Sequence, residues 1–210
     1  MIRFQLLGIP ISIEPMFWVI GALFGMPFFT NGSREGLITA VIWMAVWLIS
    51  FVVHEMGHAW FFRKYRGRGT HIHLYGMGGY ARAEGHFSRS EHLVISAAGP
   101  GVEIACGVAA WYLYRAVDAP GYFGLFLQLF SYICIFWGLF NLIPVYPLDG
   151  GQIVDAALGK GMVVTARIGV VAGIAAAIVM FTVFKMTFGA IFMGYLAYEN
   201  YRRAQVGGFR

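Results

Sequence analysis

Residues 37–58 read LITAVIWMAVWLISFVVHEMGH, and this stretch decides the fold. From Leu37 to Val53 it carries no charge, approaching the roughly 20 apolar residues that a helix needs to cross about 30 Å of hydrocarbon. His54, Glu55 and His58 stand at its far end with the two histidines four residues apart, so on a helix both imidazoles project from one face and can grip one ion. At about 1.5 Å per residue, His54 lies about 25 Å along from Leu37. His58 comes five residues before Arg63, which puts the trio within the bilayer, about 7 Å or more below the edge that the basic residues mark. Ionisable groups at that depth are costly and point to function. A polar contact between helices is the competing account, but it has no need of this trio at this spacing.

The rest of the chain fits a membrane setting. Of its 210 residues, 59% are hydrophobic and 12% charged, where a soluble domain has about 45–50% and about 25%. Apolar runs predict spans at about 16–30, 37–62, 93–115, 121–143, 162–184 and 186–201. The expected fold is an all-α polytopic membrane protein of about six transmembrane helices, a single domain over residues 1–210. A single early basic residue, Arg3, and no small-residue cleavage site predict a retained first span, with the mature chain starting where the sequence starts. Cys106 and Cys134 each fall within a span, where a free thiol serves as a small apolar side chain.

The net charge of +5 forms no long basic patch, which argues against nucleic acid as a partner. It reports topology instead. With both termini cytoplasmic, the inner side holds Arg3, Arg63, Lys64, Arg66, Arg68, Arg82, Arg89, Lys160, Arg202, Arg203 and Arg210, and the outer side only Arg34, Arg115 and Lys185. Arg167 lies inside the fifth run. The histidine motif is thereby nearer the cytoplasmic face.

Two segments break the helical pattern. Ile9 to Glu14 alternates loosely and predicts a short strand at the membrane surface. Thr70 to Tyr75 alternates with a period of two, Gly76 to Gly79 reads as a turn, and Tyr80 to Glu84 follows, so a small membrane-associated β-hairpin is expected. His71, His73, His86 and His92 crowd this region. His71 and His73 suit the wet face of a strand better than a second metal site.

In a hydrolase, zinc takes three protein ligands and leaves a fourth position for water, whose pKa it lowers to about 7; a carboxylate beside that water can take its proton. Glu55 is placed for this. A third ligand must come from elsewhere, and Asp118 and Glu35 fall on the outer side while Glu199 sits among helix-end anchors. Asp149 differs, because it closes residues 141–149, NLIPVYPLD, ahead of Gly150 and Gly151. Two prolines and two glycines interrupt the fourth helix, and non-helical backbone at membrane depth is tolerated where it lines protein or a wet cavity. Such a break can aim Asp149 at the metal; a turn-forming Asp at a helix end is the alternative.

Three places, His54 to His58, Ala98-Gly99-Pro100 and Asn141 to Gly150, together resemble the site-2 protease family, the intramembrane zinc metalloproteases. The resemblance covers nearly the whole chain in order and spacing. It implies one Zn2+ per chain held by His54, His58 and Asp149, Glu55 as catalytic base, and Asn141 positioning the substrate carbonyl or its oxyanion. By the same resemblance Gly76, Gly78 and Gly79 belong to a hairpin that receives an extended substrate, with a cap on the inner face as the other account of that hairpin. The implied substrate is a single-pass membrane protein in the lipid bilayer of a prokaryotic cytoplasmic membrane. Family members often carry Asn where this chain has Glu103, which leaves that residue either facing the site or packing with a polar partner. The chain resembles the minimal core, without an extracytoplasmic peptide-binding or cytoplasmic nucleotide-sensing domain. A transmembrane metal transporter is the alternative function, but transport has no use for a glutamate between paired histidines.

Overall fold

The computed structural model describes residues 1–29, 33–76 and 78–206. In chain order the elements are β1 (Ile2–Leu6), β2 (Ile9–Ile13), α1 (Pro15–Phe24), α2 (Met26–Phe29), α3 (Arg34–Lys64), β3 (Arg68–Tyr75), β4 (Gly78–Glu84), α4 (Arg89–Ala116), α5 (Gly121–Asn141), α6 (Asp149–Leu158), α7 (Met162–Thr182) and α8 (Thr187–Val206). Arg210 and Met77 of the expected turn lie outside the described residues.

Among the described residues four helices, α3, α4, α5 and α7, are long and apolar enough to cross a membrane, against the six spans expected. The first expected span divides at Gly25 into α1, of 10 residues, and α2, of 4. The last expected span forms α8, but Glu199, Asn200, Arg202 and Arg203 dilute its apolar run. At about 1.5 Å per residue, the 31 residues of α3 reach about 46 Å, more than the hydrocarbon alone requires. Val171, Ile174, Ile178 and Phe181 recur at helical spacing on α7 and are exposed, the surface that a helix presents to lipid.

The expected hairpin is half of something larger. β3 and β4 pair antiparallel as predicted, but they belong to a four-stranded mixed sheet of order β1-β2-β3-β4. The first hairpin, β1 with β2, turns on Leu7 and Gly8, whose φ values of 51° and 74° are those a two-residue hairpin turn with primed geometry demands. β2 then pairs parallel with β3, Ile11 opposite Ile72 and Ile13 opposite Leu74. That parallel pair needs a long crossover, which α1, α2 and α3 supply.

The backbone falls into two compact units. The first comprises Met1–His86 with Ala98–Gly138. Its core joins the inward residues of the sheet (Ile9, Ile11, Ile13, Ile72, Leu74) to Phe17, Trp47, Phe51 and Ala59. Trp47 sits at the centre of the aromatic packing, with ring centroids 4.7 Å from Phe51, 5.9 Å from Phe17 and 6.1 Å from Trp137. Ser33 begins α3 by accepting the Gly36 N–H at 3.0 Å, and Arg63 and Lys64 in its last turn complement the helix dipole.

The second unit comprises Phe87–Ala97 with Leu139–Arg210. Phe140, Val145, Met180, Met193 and Leu196 form its core. Its fixed point is Asn200, fully buried on α8. The Asn200 amide donates to Tyr146 O at 2.7 Å and Leu196 O at 2.8 Å, and its oxygen accepts the Tyr146 N–H at 3.2 Å. One side chain thus satisfies both backbone groups of a residue inside the 142–148 turn. Arg89 holds the other end of α6 by donating to Ala156 O and Ala157 O.

Replacing Asn200 with Leu removes the partners of two partly buried backbone groups, a loss of about 2 kcal/mol. The expected outcome is a lower unfolding midpoint in detergent, read by intrinsic fluorescence on heating.

Candidate metal centre

The face of α3 turned inward carries Trp47, Ser50, Phe51, His54, Glu55 and His58. Spacings of three and four residues place these side chains on adjoining turns. His54, Glu55 and His58 are each no more than 7% exposed. The His54 and His58 rings meet edge-on, with centroids 4.9 Å apart and planes at 73°. Their Nε2 atoms stand 3.1 Å apart. Two imidazole nitrogens at about 2.0–2.1 Å from a tetrahedral zinc would stand about 3.3 Å apart, so the pair fits that ion as it lies. One ligand atom each from His54, His58 and Asp149 falls within 4.8 Å of the others, all three residues being buried. No other such group of three His, Cys, Asp or Glu side chains occurs among the described residues.

Small residues on α4 make the histidine pair possible. A Cβ on Gly57 would meet Ala98 O at 2.6 Å, so α3 and α4 approach backbone to backbone here. A Cβ on Gly99 would run into the imidazole of His58. One turn further along α4 stands Glu103, fully buried. Its Oε2 lies 2.8 Å from His54 Nδ1, and its Oε1 accepts the Ser50 hydroxyl at 2.7 Å. Ser50 Oγ in turn accepts the Cys134 S–H at 3.6 Å. Glu103 therefore stands behind His54, on the side away from Nε2.

The sheet reaches the site through Gly79. A Cβ there would meet Glu55 Oε1 at 2.8 Å and Leu74 Cδ2 at 2.6 Å, so the β4 backbone lies against the Glu55 carboxylate. Gly76 and Gly78 do not share this position. A Cβ at Gly76 would touch Met16 at 3.7 Å, and one at Gly78 would meet nothing within 4 Å.

Asp149 is the first residue of α6 and Asn141 the last of α5, the helix break read from the sequence. Gly150 and Gly151 serve close packing. A Cβ on Gly150 would strike Leu142 O and Ile143 O, and one on Gly151 would meet Tyr146 N at 2.7 Å. The start of α6 is pressed against the turn that precedes it. Tyr146 in that turn has its phenol pushed up to about 12, first by burial and then by the neighbouring Asp155, while Arg203, 5.4 Å from the ring, opposes the shift.

Three of the four remaining histidines have partners away from the cluster. His73 bridges Glu14 Oε1 at 2.8 Å and Ser12 Oγ at 2.7 Å, tying β3 to β2 and its end. His71 Nδ1 lies 2.9 Å from Gly69 O, and His92 packs on Phe87. Sequence reasoning passed over Ser50 and Asn200. The signal for Ser50 was a polar residue inside an apolar run; Asn200, set among Glu199, Arg202 and Arg203, gave none.

No protein-family model matches the chain. It is 31% identical over 160 residues to a zinc metalloprotease of Methanocaldococcus jannaschii, an alignment covering 75% of this chain and 45% of that protein. It is 28% identical over 152 residues to the stage IV sporulation protein FB of Bacillus subtilis, covering 71% of this chain and 48% of that one. The chain thus spans about half the length of these relatives. Among solved structures, the site-2 protease from Methanocaldococcus jannaschii superposes with a TM-score of 0.67 at 25% identity, over 95% of this chain and 94% of that one.

Three substitutions separate the roles of the glycines. Gly99→Ala is expected to displace His58 and bring the zinc content of purified protein well below one per chain by elemental analysis. Gly79→Ala should leave zinc bound but crowd Glu55 and reduce turnover about tenfold or more, while Gly78→Ala, which meets open space, leaves the zinc content unchanged.

Proposed function

The chain belongs to the site-2 protease family, and from that premise we propose that it is an intramembrane zinc endopeptidase cutting membrane-anchored proteins within or near their spanning segments. The observation that carries this reading is the buried cluster of His54, His58 and Asp149 beside Glu55. His54 and His58 would supply Nε2 and Asp149 a carboxylate oxygen, one zinc per chain. Zinc held there supplies Lewis acidity, polarising the scissile carbonyl and lowering the pKa of a water molecule to about 7. Glu55 takes the proton from the attacking water as the C–O bond forms, and returns it to the leaving amine as the C–N bond breaks. Asn141 would orient the carbonyl oxygen.

A spanning helix hides its amides in its own hydrogen bonds, so a substrate must unwind to be cut. β4 ends the sheet on the side where Gly79 brings backbone against Glu55. An unwound segment laid along that edge would exchange helix hydrogen bonds for strand hydrogen bonds while passing the base, a recognition mode open to any sheet edge. Gly76 and Gly78 would then shape the approach to the edge. The chain is an integral membrane protein, and its charge distribution supports cytoplasmic termini and a site nearer the cytoplasmic face of a prokaryotic inner membrane.

The deciding experiment is Glu55→Gln. The variant should keep one zinc per chain and lose cleavage by about 100-fold or more. It is read by comparing membrane fractions of cells carrying either form, where uncut fragments should accumulate with the variant. Metal transport that survives the substitution, with no fragments accumulating, would favour a transporter instead.

A further inference from the structure

Glu103 is fully buried in α4, and both of its oxygens are engaged by α3. Ser50 and His54 stand four residues apart on the inner face of α3, so they present two groups one helical turn apart. The Glu103 carboxylate spans that turn, with Oε1 to Ser50 Oγ at 2.7 Å and Oε2 to His54 Nδ1 at 2.8 Å. The direction of these bonds is set from behind. Cys134 S–H donates to Ser50 Oγ, and the Ser50 proton is directed to Glu103 Oε1.

An imidazole can ligate a metal through Nε2 only when its proton is on Nδ1. A carboxylate facing Nδ1 favours that tautomer and stops the ring from turning about its Cβ–Cγ bond. The position of Glu103 on α4 reinforces the point. Gly99, four residues earlier, leaves the space into which the His58 ring fits. One face of α4 therefore accommodates one histidine and orients the other.

We propose that Glu103 is a positioning residue of the metal centre, its carboxylate accepting a hydrogen bond from His54 Nδ1–H and so holding Nε2 towards the ion, with Ser50 and Cys134 fixing the carboxylate. The inference rests on the metal-centre reading above. Removing such a partner typically weakens metal binding about 10- to 100-fold.

The test uses the full chain purified in detergent. Zinc affinity is measured by competition with a chromogenic chelator, and the ligand field by the visible spectrum after cobalt substitution, for wild type, Glu103→Leu, Glu103→Gln and Ser50→Ala. The expected result for Glu103→Leu is a zinc Kd raised about 10- to 100-fold with an altered cobalt spectrum. Glu103→Gln, whose amide oxygen can still accept from Nδ1–H, should restore most of the affinity, and Ser50→Ala should fall between it and wild type. If Glu103→Leu does not fold, Glu103→Ala carries the test with the same expected loss, because it too removes the acceptor opposite His54 Nδ1. Wild-type Kd and cobalt spectrum in every variant that folds would overturn the proposal, even if the metal-free protein melts at a lower temperature, since that is what a purely structural contact predicts. Failure of wild type itself to take up zinc or cobalt would defeat the metal-centre reading and is thereby told apart.

Discussion

Two imidazoles and a carboxylate set into a membrane-spanning helix are the constraint on which the rest depends. Such groups lose hydration that lipid cannot replace, so they persist only where protein supplies partners and excludes hydrocarbon. The surroundings of α3 answer this in order. Trp47, Phe51, Phe17 and Trp137 pack the turns that lead to His54, fixing the rotation of the helix. Glu103 stands behind His54, and Gly99 makes room for His58. The sheet brings backbone against Glu55, so that side chain also faces protein. Each of these contacts lies in one compact unit, assembled from distant parts of the sequence around six residues of one helix.

Steric need explains the glycines better than flexibility does. Gly57, Gly79, Gly99, Gly150 and Gly151 all lie where a Cβ would collide with backbone or with a site side chain. At Gly57 and Gly99 the missing side chains let two helices approach closely, the usual means of association where lipid removes the hydrophobic driving force between them. At Gly150 and Gly151 they let the start of α6 fold back on its own turn. Asp149, Gly150 and Gly151, where the irregular turn gives way to α6, are thereby buried in protein.

What the sequence made legible was local. The motif at His54, the uncharged run before it, the break marked by Pro144, Pro147, Gly150 and Gly151, and the alternation from Thr70 to Tyr75 each rest on spacing along a few turns or one strand. The sheet was only half visible, because β2 meets β3 about sixty residues further on, and nothing local to Ile11 announces Ile72 as its neighbour. β1 does alternate, Ile2, Phe4 and Leu6 against Arg3 and Gln5, but all five residues are exposed, so that period marks no buried face. The number of spans was overestimated for a related reason. Apolar length continues across Gly25, but the helix does not.

Glu103 marks the limit of reading spacing alone. Its neighbourhood in α4 shows a buried carboxylate, but the face it occupies depends on how closely α3 and α4 approach, which Gly57 and Gly99 set. Once that approach is known, geometry leaves little freedom. Gly99 opposite His58 fixes the facing surface of α4; Glu103, one turn away, must then meet α3 one turn before His58, where His54 and Ser50 present their polar atoms. A carboxylate at that place accepts a hydrogen bond from Ser50 with one oxygen and faces His54 Nδ1 with the other, and the ring has one nitrogen committed. The other nitrogen is left facing His58 and the ligand cluster. The polar group that looks most expensive in α4 is thus the one that makes the histidine of α3 single-valued.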